Sequence, residues 1–442
     1  MKKVDLTKGN VLKVITNLAV PIMGSSFLQF LYGLIDMLWV GALGSYAITV
    51  VGSSSFFTNL GYAINAIVVI GTGIKVAHSI GKKEDKSVKE YINIGLIINL
   101  IIGLGYLMVL IFLGTYFIGF LNLGNTQIQR DSYMYLVISA PMLFLSFFNT
   151  LYIRILNSFG NNKISLKISA IGIGINMILD PILIYVLNFG VLGAAIATLI
   201  ANLVMFVLFN IESWDIIKFK FSVGLNYKKG VEVIRLGFPM ALQRIIFTLV
   251  NIVIARIIAG FGDNAIAAQK IGLQIESIAY MIIGGLNGAI SSFTGQNFGA
   301  KKYERVNEGY FTALKIGGIY SLGTTLMFIL FSKELAGVFV NNENTVIMAS
   351  NYLKILGASQ IFSMIEMVSN GVFTGIGKPK IPSIISIIFT TSRIPIALIL
   401  INYFGLDGIW LSFAVSSMLK GITAISIYRF KIYKSLVADV LF

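Results

Sequence analysis

Long apolar runs recur along the whole chain, and they constrain the fold more than any other feature of the sequence. Each run reaches the roughly 20 residues that an α-helix needs to cross the hydrocarbon core of a bilayer. Charged residues make up only 12% of the chain, which is about half of their usual share in soluble proteins. We therefore expect an all-α integral membrane protein with twelve transmembrane helices and no separate soluble domain. The predicted spans are 14–40, 47–75, 92–119, 133–156, 164–187, 191–211, 232–259, 265–292, 309–331, 348–376, 382–402 and 408–430.

Lysine and arginine fall almost entirely on one side of this predicted topology. If the N-terminus is inside, 28 of the 34 lie in inner segments, including Arg393 and Lys420, three lie in outer loops and three within spans. Because cytoplasmic loops retain positive charge, we expect a multi-pass protein of the cell membrane with both termini in the cytoplasm. The same distribution explains the net charge of +15 without nucleic acid, since the basic residues recur at every second loop and not on one folded face.

The two halves of the chain resemble each other, and the spacing between matching segments shortens only slightly along the chain. A duplicated unit of six helices with small loop deletions explains this drift. Because six is even, both copies enter from the same side, which makes the repeats parallel. We expect two six-helix lobes, 1–218 and 219–442, around a central cavity. The matching segments are LAVPIM (18–23) with LGFPMA (236–241), GNNKISLKIS (160–169) with GKPKIPSIIS (377–386), and FGVLGAAIA (189–197) with FGLDGIWLS (404–412).

The composition also limits the chemistry. The chain has no Cys and one His, so disulfides, thiolate nucleophiles, iron–sulfur clusters and Cys zinc sites are excluded, and we expect no cofactor. Four carboxylates remain within the predicted spans once those in loops, tails and span ends are set aside: Asp36, Asp180, Glu276 and Glu366. An ionised residue at a helix centre costs about 2.5 to 3.5 kcal/mol on insertion scales, so each of these residues is a candidate for function.

Two of the acids lie at similar depth in the outer half of the membrane. Asp36 lies near the outer end of the first rising span, and Asp180 lies in the outer half of the fifth, which also rises. Asn176 shares the helix face of Asp180, Thr198 reaches a similar depth, and Pro181 leaves a carbonyl one turn earlier without its helical partner. These oxygens suit a small alkali cation or a shared proton. A polar network that only holds helices together is the alternative.

The second half offers a different set. Arg244 and Glu276 lie at similar predicted depth in neighbouring spans, which predicts an ion pair between them. Either structural pairing or transport chemistry would explain charged residues at this depth. Glu366 lies nearer the inner side. Gln243 is a further residue that lines the same lobe in this prediction.

The chain resembles the multidrug and toxic compound extrusion (MATE) transporters over nearly its whole length. The resemblance implies a monomer, not an enzyme, that exports organic, often cationic compounds by alternating access, driven by Na⁺ or H⁺. It also implies that Asp36, Asn176, Asp180 and Thr198 match the first-lobe cation site of prokaryotic members. In the seventh span, where other branches carry an acid, this chain has only Gln243. The segments that carry the resemblance are 18–44, 157–184, 274–302 and 371–400.

Several alternatives stay open at this point. A lipid-linked oligosaccharide flippase of the same superfamily would need a cationic cavity, whereas the first lobe is acidic within the membrane. An intramembrane lipid-modifying enzyme would need clustered carboxylates at DxxxD or DDxxD spacing, which the sequence lacks. Asn176 and Thr198 do not titrate near neutral pH but can donate oxygen lone pairs, which favours Na⁺ as a ligand of this site, with H⁺ in competition.

Overall fold

The computed structural model describes residues 4–220, 223–224 and 226–435, and within these ranges the chain is helical without β-strands. The predicted cytoplasmic termini, residues 1–3 and 436–442, lie outside the described residues. The helices are α1 (Val11–Ala42), α2 (Ser45–Gly81), α3 (Asp85–Phe120), α4 (Thr126–Ser158), α5 (Asn162–Pro181) with a π-helical turn (Ile182–Val186), α6 (Gly190–Glu212), α7 (Trp214–Ile217), α8 (Tyr227–Ala259), α9 (Asp263–Gly299), α10 (Tyr303–Leu330), α11 (Ser332–Gly337), α12 (Glu343–Gly357), α13 (Gln360–Gly375), α14 (Lys380–Thr391), α15 (Arg393–Phe404) and α16 (Leu406–Ile427) with a π-helical turn (Tyr428–Ile432).

Eleven helical segments of the described chain are long and apolar enough to cross a membrane, and they match eleven of the predicted spans. The exception is the predicted span 348–376, which the structure divides into α12, of 15 residues, and α13, of 16 residues. The break follows Gly357. The N–H of Ser359 donates to the Leu356 carbonyl at 3.0 Å, three residues earlier, and this tight turn ends α12. The tenth span is therefore a broken helix.

The repeat is visible in the backbone. α2 and α9 both have 37 residues, and each follows a glycine with positive φ, Gly44 at 95° and Gly262 at 92°. Only glycine adopts this conformation without strain. Lys83 and Lys301 also share the left-handed conformation, with φ of 60° and 57°. Both pairs keep the spacing at which LAVPIM recurs as LGFPMA, so the predicted parallel repeat is confirmed.

A close helix contact fixes the repeat further along the chain. A Cβ added to Gly193 on α6 would lie 2.7 Å from the carbonyl carbon of Leu183, and one added to Gly408 on α16 would lie 2.5 Å from that of Leu400. No side chain fits at either position. The same contact therefore recurs in both copies. The two glycines lie as far apart in the chain as FGVLGAAIA and FGLDGIWLS. The two leucines lie slightly further apart, at the spacing of the earlier pair GNNKISLKIS and GKPKIPSIIS, as the drift in the sequence repeat predicts.

Packing divides the chain into two compact units. The first comprises Gly24–Ala241 and the described part of Met1–Asp5, and the second comprises Leu6–Met23 and the described part of Leu242–Phe442. The first half of α1 thus packs with the second unit and the first half of α8 packs with the first unit, contrary to their order in the chain. The predicted lobes 1–218 and 219–442 follow the order of the repeat and stay a prediction.

Polar contacts explain this assignment of the two half-helices. In the second unit, the N–H of Leu6 donates to Gln296 Oε1 at 3.1 Å, and Asn297 Nδ2 donates to the Leu6 carbonyl at 3.2 Å. In the first unit, Lys75 Nζ lies 2.5 Å from Glu232 Oε2 at the start of α8. Apolar cores complete each unit, with Phe148 and Phe209 in the first and Phe293 and Phe373 in the second.

Candidate functional site

The structure brings together the α5 and α6 residues of the predicted cation site. Asp180 is fully buried and Asn176 is 2% exposed. In the amide orientation that forms hydrogen bonds at both ends, Asn176 Nδ2 donates to Asp180 Oδ2 at 3.1 Å and Oδ1 accepts from the Thr198 N–H at 3.2 Å. The Thr198 hydroxyl donates to the Ala194 carbonyl at 2.9 Å, as Thr often does within a helix.

Asp36, on α1, completes this set. Its carboxylate is half-buried, and the charges of Asp36 and Asp180 act on each other. Across the three described ranges, no Lys or Arg forms an ion pair with either carboxylate. Two acids in an apolar bundle therefore have neutral oxygens and hydroxyls around them but no counter-ion among the residues that the structure describes.

Two tyrosines of this site were not identified from the sequence. The Tyr32 hydroxyl lies 3.2 Å from Thr198 Oγ1, and Tyr32 interacts electrostatically with both carboxylates. Tyr135, on α4, also interacts electrostatically with both. The position of Tyr32, four residues before Asp36, is a signal that could have found it, because such residues share a helix face. Tyr135 comes from a helix far away in the chain, so only packing could identify it.

The chain after Pro181 stays helical. It winds into the π-helical turn Ile182–Val186, where the N–H of Leu187 donates to the Ile182 carbonyl at 2.9 Å, five residues earlier. Such turns occur frequently at functional sites because they displace backbone carbonyls from the regular pattern. A ligand role for the carbonyl one turn before Pro181 stays a prediction.

The donor set indicates which kind of ion it suits. No group of three or more His, Cys, Asp or Glu side chains that could hold a metal ion occurs among the described residues. Asp36, Asp180, Asn176 and Thr198 instead offer two carboxylates and two neutral side-chain oxygens. Hard oxygens suit alkali and alkaline-earth cations, and the small number of acids favours a monovalent one.

The predicted ion pair between Arg244 and Glu276 is wrong. Glu276 is 6% exposed, and its carboxylate accepts from the Tyr352 hydroxyl at 2.8 Å and from Gln360 Nε2 at 3.3 Å. Arg393 is the cation whose charge acts on it. Depth in the membrane was predicted from the sequence, but the face of α9 that carries Glu276 packs against α12 and α13, whereas Arg244 is exposed on α8.

Glu366 has a partner that the sequence analysis placed elsewhere. Lys420 Nζ lies 3.9 Å from Glu366 Oε1, with the two side chains 5% and 13% exposed respectively. Lys420 was assigned to an inner segment, and the structure places it as a buried residue within α16, which continues to Ile427. The next residue, Gly421, packs so closely on α13 that an added Cβ would lie 2.9 Å from the carbonyl carbon of Phe362, and this approach buries the lysine.

Arg393 was also assigned to an inner segment, and it instead lies midway along the segment Lys380–Phe404. Its Nε donates to Ser416 Oγ at 3.1 Å, and its guanidinium lies over the Phe413 ring at 5.0 Å from the centroid. Such a cation–π contact stabilises a partly buried guanidinium. The second unit therefore holds two cations, Arg393 and Lys420, near two carboxylates, Glu276 and Glu366.

Gln243 contributes no contact to this charged network. Its Oε1 is buried and accepts no hydrogen bond from the described residues. Roles for Gln243 and Arg244 in substrate binding or coupling stay predictions.

The chain is similar to known proteins along most of its length. The family model described as MatE matches residues 21–182 and again residues 239–399. The chain is 25% identical over 445 residues to "Probable multidrug resistance protein YpnP" of Bacillus subtilis, covering 99% of both chains. It is 26% identical over 424 residues to "Probable multidrug resistance protein NorM" of Thermotoga maritima, covering 90% of this chain and 88% of that one. "Multidrug export protein MepA" of Staphylococcus saprophyticus is 26% identical over 427 residues, covering 95% and 94%.

Two solved structures share the fold. One, described as the outward-facing conformation of a multidrug resistance MATE family transporter of the MOP superfamily, has a TM-score of 0.92 at 24% identity and covers 99% of both chains. The other, a MOP superfamily transporter from Pyrococcus furiosus described as having a binding pocket of reverse polarity that suggests a different function, also has a TM-score of 0.92, at 23% identity and the same coverage. The fold is therefore common to proteins whose described functions differ.

Proposed function

Because the chain belongs to the MatE family, whose members are multi-pass membrane transporters and not enzymes, we propose that it exports small organic compounds, often cationic, across the cell membrane. Transport is antiport against Na⁺ or H⁺ by alternating access, with both termini in the cytoplasm. Family membership also removes the intramembrane lipid-modifying enzyme from the alternatives.

One observation carries the proposal. Asp36 and Asp180 of the first unit interact electrostatically and form no ion pair with any described Lys or Arg, and Asp180 lies beside the amide of Asn176, which contacts Thr198. A permanently unbalanced pair of acids inside a membrane is costly. An ion from solution that binds there offsets this cost, and its release on the other side of the membrane can drive export of a substrate.

Na⁺ is the coupling ion that the donor set favours. A proton needs only one carboxylate. Asn176 and Thr198 add neutral oxygens, and the Asn176 carbonyl retains a second lone pair while it accepts from the Thr198 N–H. These oxygens are useful to a metal cation and not to a proton. Protons compete for the same carboxylates, so acidification lowers the apparent affinity for Na⁺.

Thr198→Val tests the neutral oxygens. The substitution removes one candidate ligand at nearly constant volume, and we expect the apparent Na⁺ affinity to fall about tenfold, which corresponds to about 1.4 kcal/mol, while H⁺-driven transport changes little. Tyr32→Phe is the matched control, since it removes the hydroxyl that lies 3.2 Å from Thr198 Oγ1 but leaves the threonine oxygen in place. Equal losses of Na⁺-driven and H⁺-driven transport in Thr198→Val would contradict a ligand role.

The function itself is tested with purified protein in liposomes loaded with a fluorescent organic cation. Na⁺ and H⁺ gradients are imposed separately, and we expect at least one of them to accelerate export. Expression in a host sensitive to cationic dyes should also protect its growth. Failure of both gradients to drive export, together with an unprotected host, would contradict the proposal.

The flippase alternative would need unbalanced positive charge for a lipid pyrophosphate. Lys420 lies beside Glu366, and the charge of Arg393 acts on Glu276. Two cations of the second unit, Lys420 and Arg393, therefore lie near acids, and the first unit adds Asp36 and Asp180. This charge distribution favours an organic cation over an anionic lipid headgroup.

A further inference from the structure

A tyrosine from the chain after α5 holds the outer end of α1. The N–H of Leu43, which would reach the Trp39 carbonyl in a continuing α-helix, donates to the Val40 carbonyl at 3.1 Å instead. The Trp39 carbonyl accepts from the Tyr185 hydroxyl at 2.6 Å, and the two rings meet edge to face with their centroids 5.9 Å apart. Because the last carbonyls of a helix need partners from outside it, Tyr185 caps α1. The contact between Trp39 and Tyr185 forms an outer clasp.

The outer clasp lies close in the chain to both carboxylates of the candidate cation site. Trp39 follows Asp36 by three residues, and Tyr185 follows Asp180 by five. Because α1 and α5 both rise in the predicted topology, the clasp lies on the outer side of both acids. All four residues belong to the first unit. The clasp therefore joins α1 to the end of α5 just beyond the two residues whose charges act on each other.

The π-helical turn explains why Tyr185 faces α1. In a regular α-helix, residues five apart are rotated by about 140° around the axis, so Asp180 and Tyr185 would face different neighbours. The turn Ile182–Val186 holds one residue more than an α-helical turn, which reduces this angle. Asp180 and Tyr185 are thereby brought towards the same side of the segment, and both act on residues of α1.

The second repeat has neither the acids nor the longer turn. The residues at the repeat positions of the two carboxylates are Ile254 and Ala397, and both are fully buried. The segment Leu183–Gly193 is also two residues longer than Leu400–Gly408, although the ends of both segments make the same close contact. The additional length, the π-helical turn and the carboxylates thus occur together in one copy of the repeat.

We propose that Tyr185 is a positioning residue for the coupling ion, which holds Asp36 in register with Asp180 through the outer clasp and so favours Na⁺ over H⁺. Na⁺ needs oxygens from α1 and α5 at the same time, whereas a proton binds a single carboxylate. Freedom at the outer end of α1 therefore weakens Na⁺ binding and leaves protonation nearly unchanged. This inference rests on the proposed function and deepens it, because it assigns the ion preference to a residue outside the ligand set.

Tyr185→Phe tests the clasp, since it removes the hydroxyl and keeps the ring. We expect the Na⁺ concentration that half-saturates purified protein, measured with radioactive Na⁺ at alkaline pH, to rise about tenfold, an effect that the loss of one hydrogen bond can produce. Efflux driven by an H⁺ gradient should stay near that of the unsubstituted protein. Tyr116→Phe is the matched control, because it makes the same change at an exposed tyrosine on α3 of the same unit.

Two results with Tyr185→Phe would overturn the proposal. One is an unchanged Na⁺ affinity. The other is an equal loss of Na⁺-driven and H⁺-driven efflux, because a tyrosine that only stabilises the fold would affect both ions alike.

A distance measurement tests the clasp without relying on transport. The chain has no Cys, so spin labels attach only at introduced cysteines, and Leu38→Cys on α1 and Ile178→Cys on α5 replace exposed side chains. Electron paramagnetic resonance should show a broader distribution of distances between the labels after Tyr185→Phe, and Na⁺ should narrow it. The same distribution with and without the Tyr185 hydroxyl would overturn the positioning role.

The outcomes separate this inference from the proposed function. If the unsubstituted protein binds Na⁺ and Tyr185→Phe binds it equally well, this inference fails and the proposed export function stands. If the unsubstituted protein shows no Na⁺ binding that Asp36→Asn removes, sodium coupling fails and the role of Tyr185 fails with it.

Discussion

Replacing Asp36 or Asp180 by Asn is expected to reduce gradient-driven efflux by roughly 100-fold, which lies within the range that coupling free energies of about 1 to 3 kcal/mol allow. Asn has nearly the same shape as Asp but carries no negative charge, so the site loses the charge that a proton or Na⁺ would neutralise. Because the acids have no ion pair among the described residues, the substitution leaves no buried cation unbalanced, and the protein should still fold.

The measurement is efflux of a fluorescent organic cation from liposomes of matched protein content. Asp131→Asn is the matched control, because Asp131 belongs to the same unit but has its own hydrogen-bond donors, the Tyr46 hydroxyl at 2.5 Å and Gln127 Nε2 at 3.1 Å. We expect this control to transport normally. Normal efflux from both the Asp36→Asn and the Asp180→Asn proteins would rule out the coupling role.

Lys420→Met should destabilise the protein strongly, by about 3 to 5 kcal/mol, because it leaves Glu366 as an uncompensated charge in the interior. Methionine retains most of the volume of the lysine stem, so the loss reports mainly on charge. Adding Glu366→Gln removes the stranded charge and should recover most of the stability. Thermal unfolding in detergent provides the measurement.

Lys354→Met is the control for this prediction, since Lys354 lies exposed on α12 of the same unit. We expect an effect within about 0.5 kcal/mol, as for most surface substitutions. If the double variant with Glu366→Gln is no more stable than Lys420→Met, the ion pair does not explain the loss.

Which residues of the first unit lie near one another could be predicted from local rules. Asp180 and Asn176 share a face of one helix, and the depths of Asp36 and Thr198 follow from a rise of about 1.5 Å per residue. The structure then added Tyr32, which a local argument could have found, and Tyr135, which it could not. The second-unit network was predicted poorly. Its pairs join different helices, and depth alone does not state which way a helix is rotated about its axis.

By itself, the sequence determined the membrane class, eleven of the twelve helical spans and the parallel repeat, because hydropathy, helix length and the spacing between copies are properties of the chain alone. Packing decided that the first halves of α1 and α8 belong with the units that chain order does not give them. It also decided that Glu276 accepts from Tyr352 and Gln360, and that Arg393 and Lys420 lie among helices and not in loops. The reason is physical: the cost of burying a charge depends on the partner that another helix presents, and that partner is fixed only when the helices pack.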